Sequence, residues 1–209
     1  MKVKRVFTPD KEKRVVEAIG RAEGRTSGEI VPMVVDQSDA YLHVDFIGAL
    51  IVQFAAFLAA IWLLPTFDYL WILAVQVLGL VVGFLAFRYL APLKRICLSP
   101  RIAEEEVFEK ALRVFRELEL NRTAERTGIL ILVSLLEHRV QVLADSGINA
   151  RVKSGTWDEV VEIVLAGIKG GDLCQGLCDA IERCGEILAN EFPIQPDDEN
   201  ELPDRLHKG

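Results

Sequence analysis

Residues 46–64 (FIGALIVQFAAFLAAIWLL) and 69–87 (YLWILAVQVLGLVVGFLAF) are two runs of 19 residues without a charged side chain. As helices rising about 1.5 Å per residue, each would be about 28 Å long, close to the hydrocarbon thickness of a bilayer. Only Pro65, Thr66, Phe67 and Asp68 separate them, so the pair is expected to form an antiparallel hairpin. Trp62, Tyr69 and Trp71 cluster at its tip, where an aromatic belt meets the headgroups. The 164 residues outside 46–90 are too few to cover two such helices on every side, which argues against their being buried in a soluble core.

Charge orients the hairpin. Between Asp36 and Phe87 there is no Lys or Arg, whereas Arg88, Lys94, Arg95 and Arg101 follow directly. The positive-inside rule puts that end in the cytoplasm, and two passes return the N-terminus to the same side. Residues 1–30 are charged throughout and lack the apolar core of a secretory signal. The expected location is the bacterial inner membrane, two-pass, with both termini cytoplasmic and Cys97, Cys174, Cys178 and Cys184 reduced. Gly79 and Gly83 form a small-xxx-small step that suits packing inside the hairpin or a homo-oligomer contact. Gln53 and Gln76 lie at different depths, poorly placed to bond each other. No Asp, Glu, Lys, Arg or His lies within either run, so an ion or proton path is not expected. With 24 Lys plus Arg against 31 Asp plus Glu and a net charge of −7, the chain lacks the basic face of a nucleic-acid binder.

The flanking pieces read as parts of one fold. Thr8, Pro9 and Asp10 start a helix whose stripe, Val15, Val16, Ile19 and Ala22, ends at Gly24. IVPMVV (30–35) reads as a strand, with Pro32 better suited to an edge. After the hairpin, Ser99 and Pro100 open an amphipathic helix. Residues 129–135 read as a central strand, Glu137 and His138 as a turn, and 139–144 as its partner. Thr156 and Glu159 suggest a capping box for a further helix, and Asp172 caps the last one. One strand precedes the hairpin and two follow, so neither piece alone makes a covered sheet. The expectation is a single domain built from 1–45 and 91–192, an α/β fold interrupted by the transmembrane hairpin 46–90, with 193–209 a mobile polar tail.

The runs TGILILVSLLEHRVQVLADSGI (127–148), TWDEVV (156–161), GDLCQGLCDAIERCGEILANEFP (171–193) and NELPDRL (200–206) resemble the TPM domain family, including bacterial members with a membrane hairpin inside the domain. The resemblance spans residues 8–205. It implies a three-layer α/β/α sandwich with a mixed sheet. It also implies, from plant relatives, acid phosphatase activity, divalent-metal binding and a role in maintaining thylakoid complexes.

Residue chemistry is sparse. No P-loop, HExxH, GxSxG or zinc-type Cys pattern is present, and no catalytic residue is assigned. Cys174 and Cys178, four apart on a helix, read as small buried thiols. If the first two strands are parallel and the third antiparallel, Asp36, Glu137 and His138 share one sheet edge, a candidate binding face. Glu29 and Asp145, with Asn149 nearby, share the other, where hard oxygen ligands could hold Ca²⁺ or Mg²⁺. Cofactor use is otherwise not expected. Two functions follow: an interaction or assembly factor for membrane protein complexes, with the lipid bilayer and membrane-proximal proteins as partners, or a metal-dependent phosphatase-like hydrolase.

Overall fold

All seven residues of β2 (Gly128–Ser134) are buried, and alternate side chains enter two different cores. A strand covered on both faces has no polar side to present, hence the unbroken apolar run ILILV. The computed structural model that shows this describes residues 2–63, 69–153, 155–195 and 200–209. The chain divides into two units, Met1–Ser38 with Glu104–Gly209, and Asp39–Ala103.

In the first unit β1 (Glu29–Val35) runs parallel to β2 in the register Glu29↔Gly128 to Val35↔Ser134. β3 (Arg139–Ala144) runs antiparallel to β2 on its other side. One layer combines α1 (Val3–Val6), α2 (Pro9–Glu23), α7 (Ser146–Asn149), α8 (Asp158–Gly170) and α9 (Leu173–Glu191). Its core includes Val15, Ile19, Ile131, Val164 and Ile181. On the opposite face α6 (Pro100–Glu117) packs Val107, Ala111 and Val114 against Val31, Leu130 and Leu132. This is the three-layer α/β/α arrangement with a mixed sheet.

The polar C-terminal stretch corrects the expectation of a mobile tail for residues 200–209; residues 196–199 lie outside the described residues. His207–Lys208 forms β4, parallel to β1, giving the sheet order β3-β2-β1-β4. Leu206 is buried in the main core, and Lys208 pairs with Glu12 at 2.6 Å. Pro32 finds its reason here. The even-numbered backbone groups of β1 face β4: the Val34 carbonyl accepts from Gly209 N–H at 3.2 Å, and Asp36 N–H donates to the Gly209 carbonyl at 3.0 Å. Ile30 N–H, on the same side, donates to the Glu23 carboxyl at 2.7 Å. Pro32 therefore stands just ahead of the pairing with β4, which begins at Met33, where the strand needs no N–H donor on that side. A second correction concerns α8. Thr156 donates its hydroxyl to the Lys153 carbonyl, no side chain caps the helix, and Glu159 pairs with Arg183, so the capping box does not form. Asp172 does cap α9, accepting from Gln175 N–H.

The second unit contains α3 (Leu42–Leu63), α4 (Tyr69–Tyr89) and α5 (Ala91–Cys97). Leu42–Trp62 and Tyr69–Tyr89 are long and apolar enough to span a membrane, with mean hydropathy 2.2 and 2.5. The connection through Pro65, Thr66, Phe67 and Asp68 lies outside the described residues. Gly79 and Gly83, considered for a homo-oligomer, face α3 of the same chain. A Cβ on Gly83 would lie 2.8 Å from Val52 Cβ and 2.9 Å from Ala49 Cα, and one on Gly79 3.2 Å from Ala56 Cβ. The glycines let the two helices touch backbone to side chain. Just before the apolar run, Asp45 is fully buried and pairs with Lys94 at 2.9 Å and Arg88 at 3.4 Å. Lys94 also donates to the Ala40 carbonyl at 2.6 Å, so α5 is clasped to the start of α3.

Candidate functional site

The parallel strands β1 and β2 end together, and in open α/β sheets ligands commonly bind beyond such carboxyl ends. Three of the expected residues gather there. Glu137 is buried and accepts from Ser38 N–H at 2.8 Å and from the hydroxyls of Ser38 and Ser134. Asp36 accepts from Val3 N–H at 2.7 Å and pairs with Lys2 at 2.9 Å. Burial alone would raise the Asp36 carboxyl, but the Lys2 ammonium and the Val3 amide hold it below the usual range. His138 is exposed in the β2–β3 turn, in the left-handed region at φ 51°. Asp36 and Glu137 thus share an edge, the one held by Lys2 and Val3, the other by Ser38 and Ser134. The Ser134–Glu137 contact has the groups of an activated hydroxyl, but Ser134 is fully buried, so no substrate reaches its oxygen. It works as a clasp that ties the segment after β1 to the end of β2.

At the opposite edge Glu29 pairs in register with Gly128, and Asp145 N–H donates to the Gly128 carbonyl. Glu29 and Asp145 are therefore brought to one edge, on strands flanking β2. Two interstrand spacings separate their backbones by about 10 Å. The 3₁₀ turn Leu120–Arg122 follows α6, and its Leu120 carbonyl lies against Gly128; a Cβ on Gly128 would come within 2.4 Å of that oxygen. The two carboxyls engage different groups. Asp145 caps α7, accepting from Ser146 N–H at 2.6 Å, and its other oxygen lies 3.8 Å from Arg126. Asn149 donates to the Ala144 carbonyl at 2.7 Å. Glu29 accepts from Glu201 N–H at 3.0 Å. Among the described residues no group of three His, Cys, Asp or Glu side chains is placed to hold a metal ion.

Beside Glu29 stands a residue that pattern reading passed over. Glu23, the last residue of α2, has its pKa raised to about 9, chiefly by burial, with Glu29 and Asp204 adding in the same direction. Glu29 is raised too, again by burial first, against the pull of the Glu201 and Leu202 amides. A signal existed in the sequence, because an acidic residue closing a helix opposes the helix dipole. The thiols of Cys178 and Cys184 are pushed up by burial, the former to about 12, so they are inert.

This strand–turn–strand core, with α8 and most of α9 packed on it, lies within residues 95–187, the stretch matched by the TPM domain family model. That stretch of the chain is similar to the TPM domain family. Glu137, His138, Asp145 and Asn149 fall inside the matched stretch; Glu29 on β1, Asp36 just after it, and the C-terminal strap 200–209 that ends in β4 fall outside it. Likeness to a solved structure extends beyond that stretch. The NMR structure of BA42 protein from the psychrophilic bacteria Bizionia argentinensis is similar over 100% of this chain and 99% of that one, with a TM-score of 0.63 and 25% identity. No curated protein matches the chain.

Proposed function

We propose that the chain is a two-pass, membrane-anchored protein whose TPM domain faces the cytoplasm and serves as an interaction or assembly factor for membrane protein complexes. The observation that carries this reading is the apolar outer surface of α3 and α4: Phe54 and Trp71, for instance, are 62% and 67% exposed. A surface of that kind is unfavourable in water and suits lipid. The positive charge at Arg88, Lys94, Arg95 and Arg101 supports a cytoplasmic exit. The engagement of Asp36, Glu137 and Asp145 by the protein's own backbone and side chains favours a scaffold over a catalyst.

The hydrolase reading is supported by one feature, the buried oxygens Glu29 Oε2 and Asp145 Oδ2, which lack a hydrogen-bond donor. One experiment separates the two. The full chain in lipid nanodiscs is assayed for phosphate release from p-nitrophenyl phosphate with Mg²⁺ or Ca²⁺, beside Asp145→Asn, while in-membrane crosslinking is scored for defined protein neighbours. The assembly reading expects no turnover above the variant, and the same neighbours with either protein. Metal-dependent turnover abolished by Asp145→Asn would overturn it.

A further inference from the structure

The C-terminal strap crosses the start of β1 over a set of carboxyl groups that have no basic partner among the described residues. Glu23 comes from α2, Glu29 from β1, and Glu201 and Asp204 from the strap itself. Glu29 is 7% exposed, and its Oε2 is buried without a donor, as is Glu23 Oε2. Asp204 Oδ2 would lie 3.4 Å from a Cβ on Gly20, one helical turn before Glu23, which places the strap's carboxyl against α2 beside this pair. The basic residues nearby are committed elsewhere: Arg21 and Arg25 to Glu182, Arg126 to Asp145, and Lys208 to Glu12. Glu201 has its carboxylate on Ala124 N–H at 3.0 and 3.1 Å, and Asn200 donates to Asp204 at 2.6 Å. His207 lies beside Arg205, whose guanidinium points to it at 3.3 Å.

Buried carboxylates without a counter-charge are prohibitively unfavourable, whereas carboxylic acids can donate to neighbouring carboxylates. We propose that Glu23, Glu29 and Asp204 form a latch, which fastens the strap 200–209 over β1 while the two glutamates keep their protons and frees it when they are lost. The raised pKa of both glutamates agrees with this geometry. Release would uncover the Val34 carbonyl and the Asp36 amide that Gly209 now satisfies, so the latch governs whether this sheet edge is closed.

The test is a spin-label distance between α2 and the strap, in the full chain in nanodiscs. Labels are placed at Glu17→Cys and Pro203→Cys, both exposed, on a Cys97→Ser background. The expected distribution is narrow at pH 7 and broadens at pH 10, while a control pair on α6 and α9 stays narrow at both. In Glu23→Gln/Glu29→Gln, where amides replace the acids, the strap pair should remain narrow at pH 10, and Asp204→Asn should suppress most of the broadening. A strap pair that stays narrow at pH 10 in the parent overturns the latch. So does equal broadening in the double variant, or broadening of the control pair together with the strap.

Discussion

Glu23→Gln tests the energetics of the carboxyl cluster directly. In the unfolded chain this side chain titrates near 4.5; in the fold it titrates at about 9. At pH 7 folding therefore requires proton uptake. That costs about 1.4 kcal/mol for each pH unit above 4.5, or roughly 3 kcal/mol, a figure good to about a unit of pKa. The sign follows from the raised folded value. The acid contributes its full stability below pH 4.5, and the contribution is lost progressively as pH rises towards 9. Glutamine keeps an oxygen for Ile30 N–H, offers an N–H towards Asp204 and does not titrate. Glu23→Gln should thus be more stable than the parent by about 2–3 kcal/mol at pH 7, roughly 5–10 °C in melting temperature, with the difference vanishing near pH 4.5. Thermal melts in nanodiscs between pH 4.5 and 9, followed by circular dichroism, supply the measurement. Parallel pH profiles for parent and variant, or a variant less stable at neutral pH, would refute the reasoning.

Three further outcomes are expected. Gly128→Ala drives a methyl into the Leu120 carbonyl and should destabilise the domain by about 1–3 kcal/mol in denaturant titrations; an unchanged midpoint would show that the turn yields freely. Asp45→Asn strands Lys94 in a buried site and should cost about 3–5 kcal/mol, partly recovered by adding Lys94→Met, whereas equal stability of all three proteins would mean the pair is solvated. Replacing residues 40–94 with a short Gly/Ser linker should give a soluble, cooperatively melting domain, while residues 91–209 alone should not melt cooperatively because β2 lacks its parallel neighbour. Cooperative melting of 91–209 would contradict the shared sheet.

Much of this architecture is legible from pattern. β2 announces itself because burial on both faces leaves only apolar residues, and its parallel pairing with β1 follows from a crossover that contains a helix. The two sheet edges, with Asp36, Glu137 and His138 at one and Glu29 and Asp145 at the other, follow from strand polarity alone. β4 was not legible, since two polar residues are recruited by the open side of β1 rather than by any periodicity of their own. Partners inside the edges escaped for a similar reason. Whether Glu29 meets Asp145 or the strap depends on where the Leu120–Arg122 turn and residues 200–206 fall in space, and neighbours in sequence carry no record of that. Asp45 was visible as a charge one residue before the first apolar run, but its burial is set by Lys94, far along the chain and returned by the hairpin.

The proposal of a membrane-anchored domain facing the cytoplasm stands or falls on sidedness. Fusions to the full chain after Gly209, carrying in turn a reporter active only in the cytoplasm and one active only outside it, read that sidedness in intact bacterial cells. The account predicts membrane-associated signal from the cytoplasmic reporter and silence from the other. An active external reporter, or a cytoplasmic signal that stays soluble after membranes are sedimented, would contradict it.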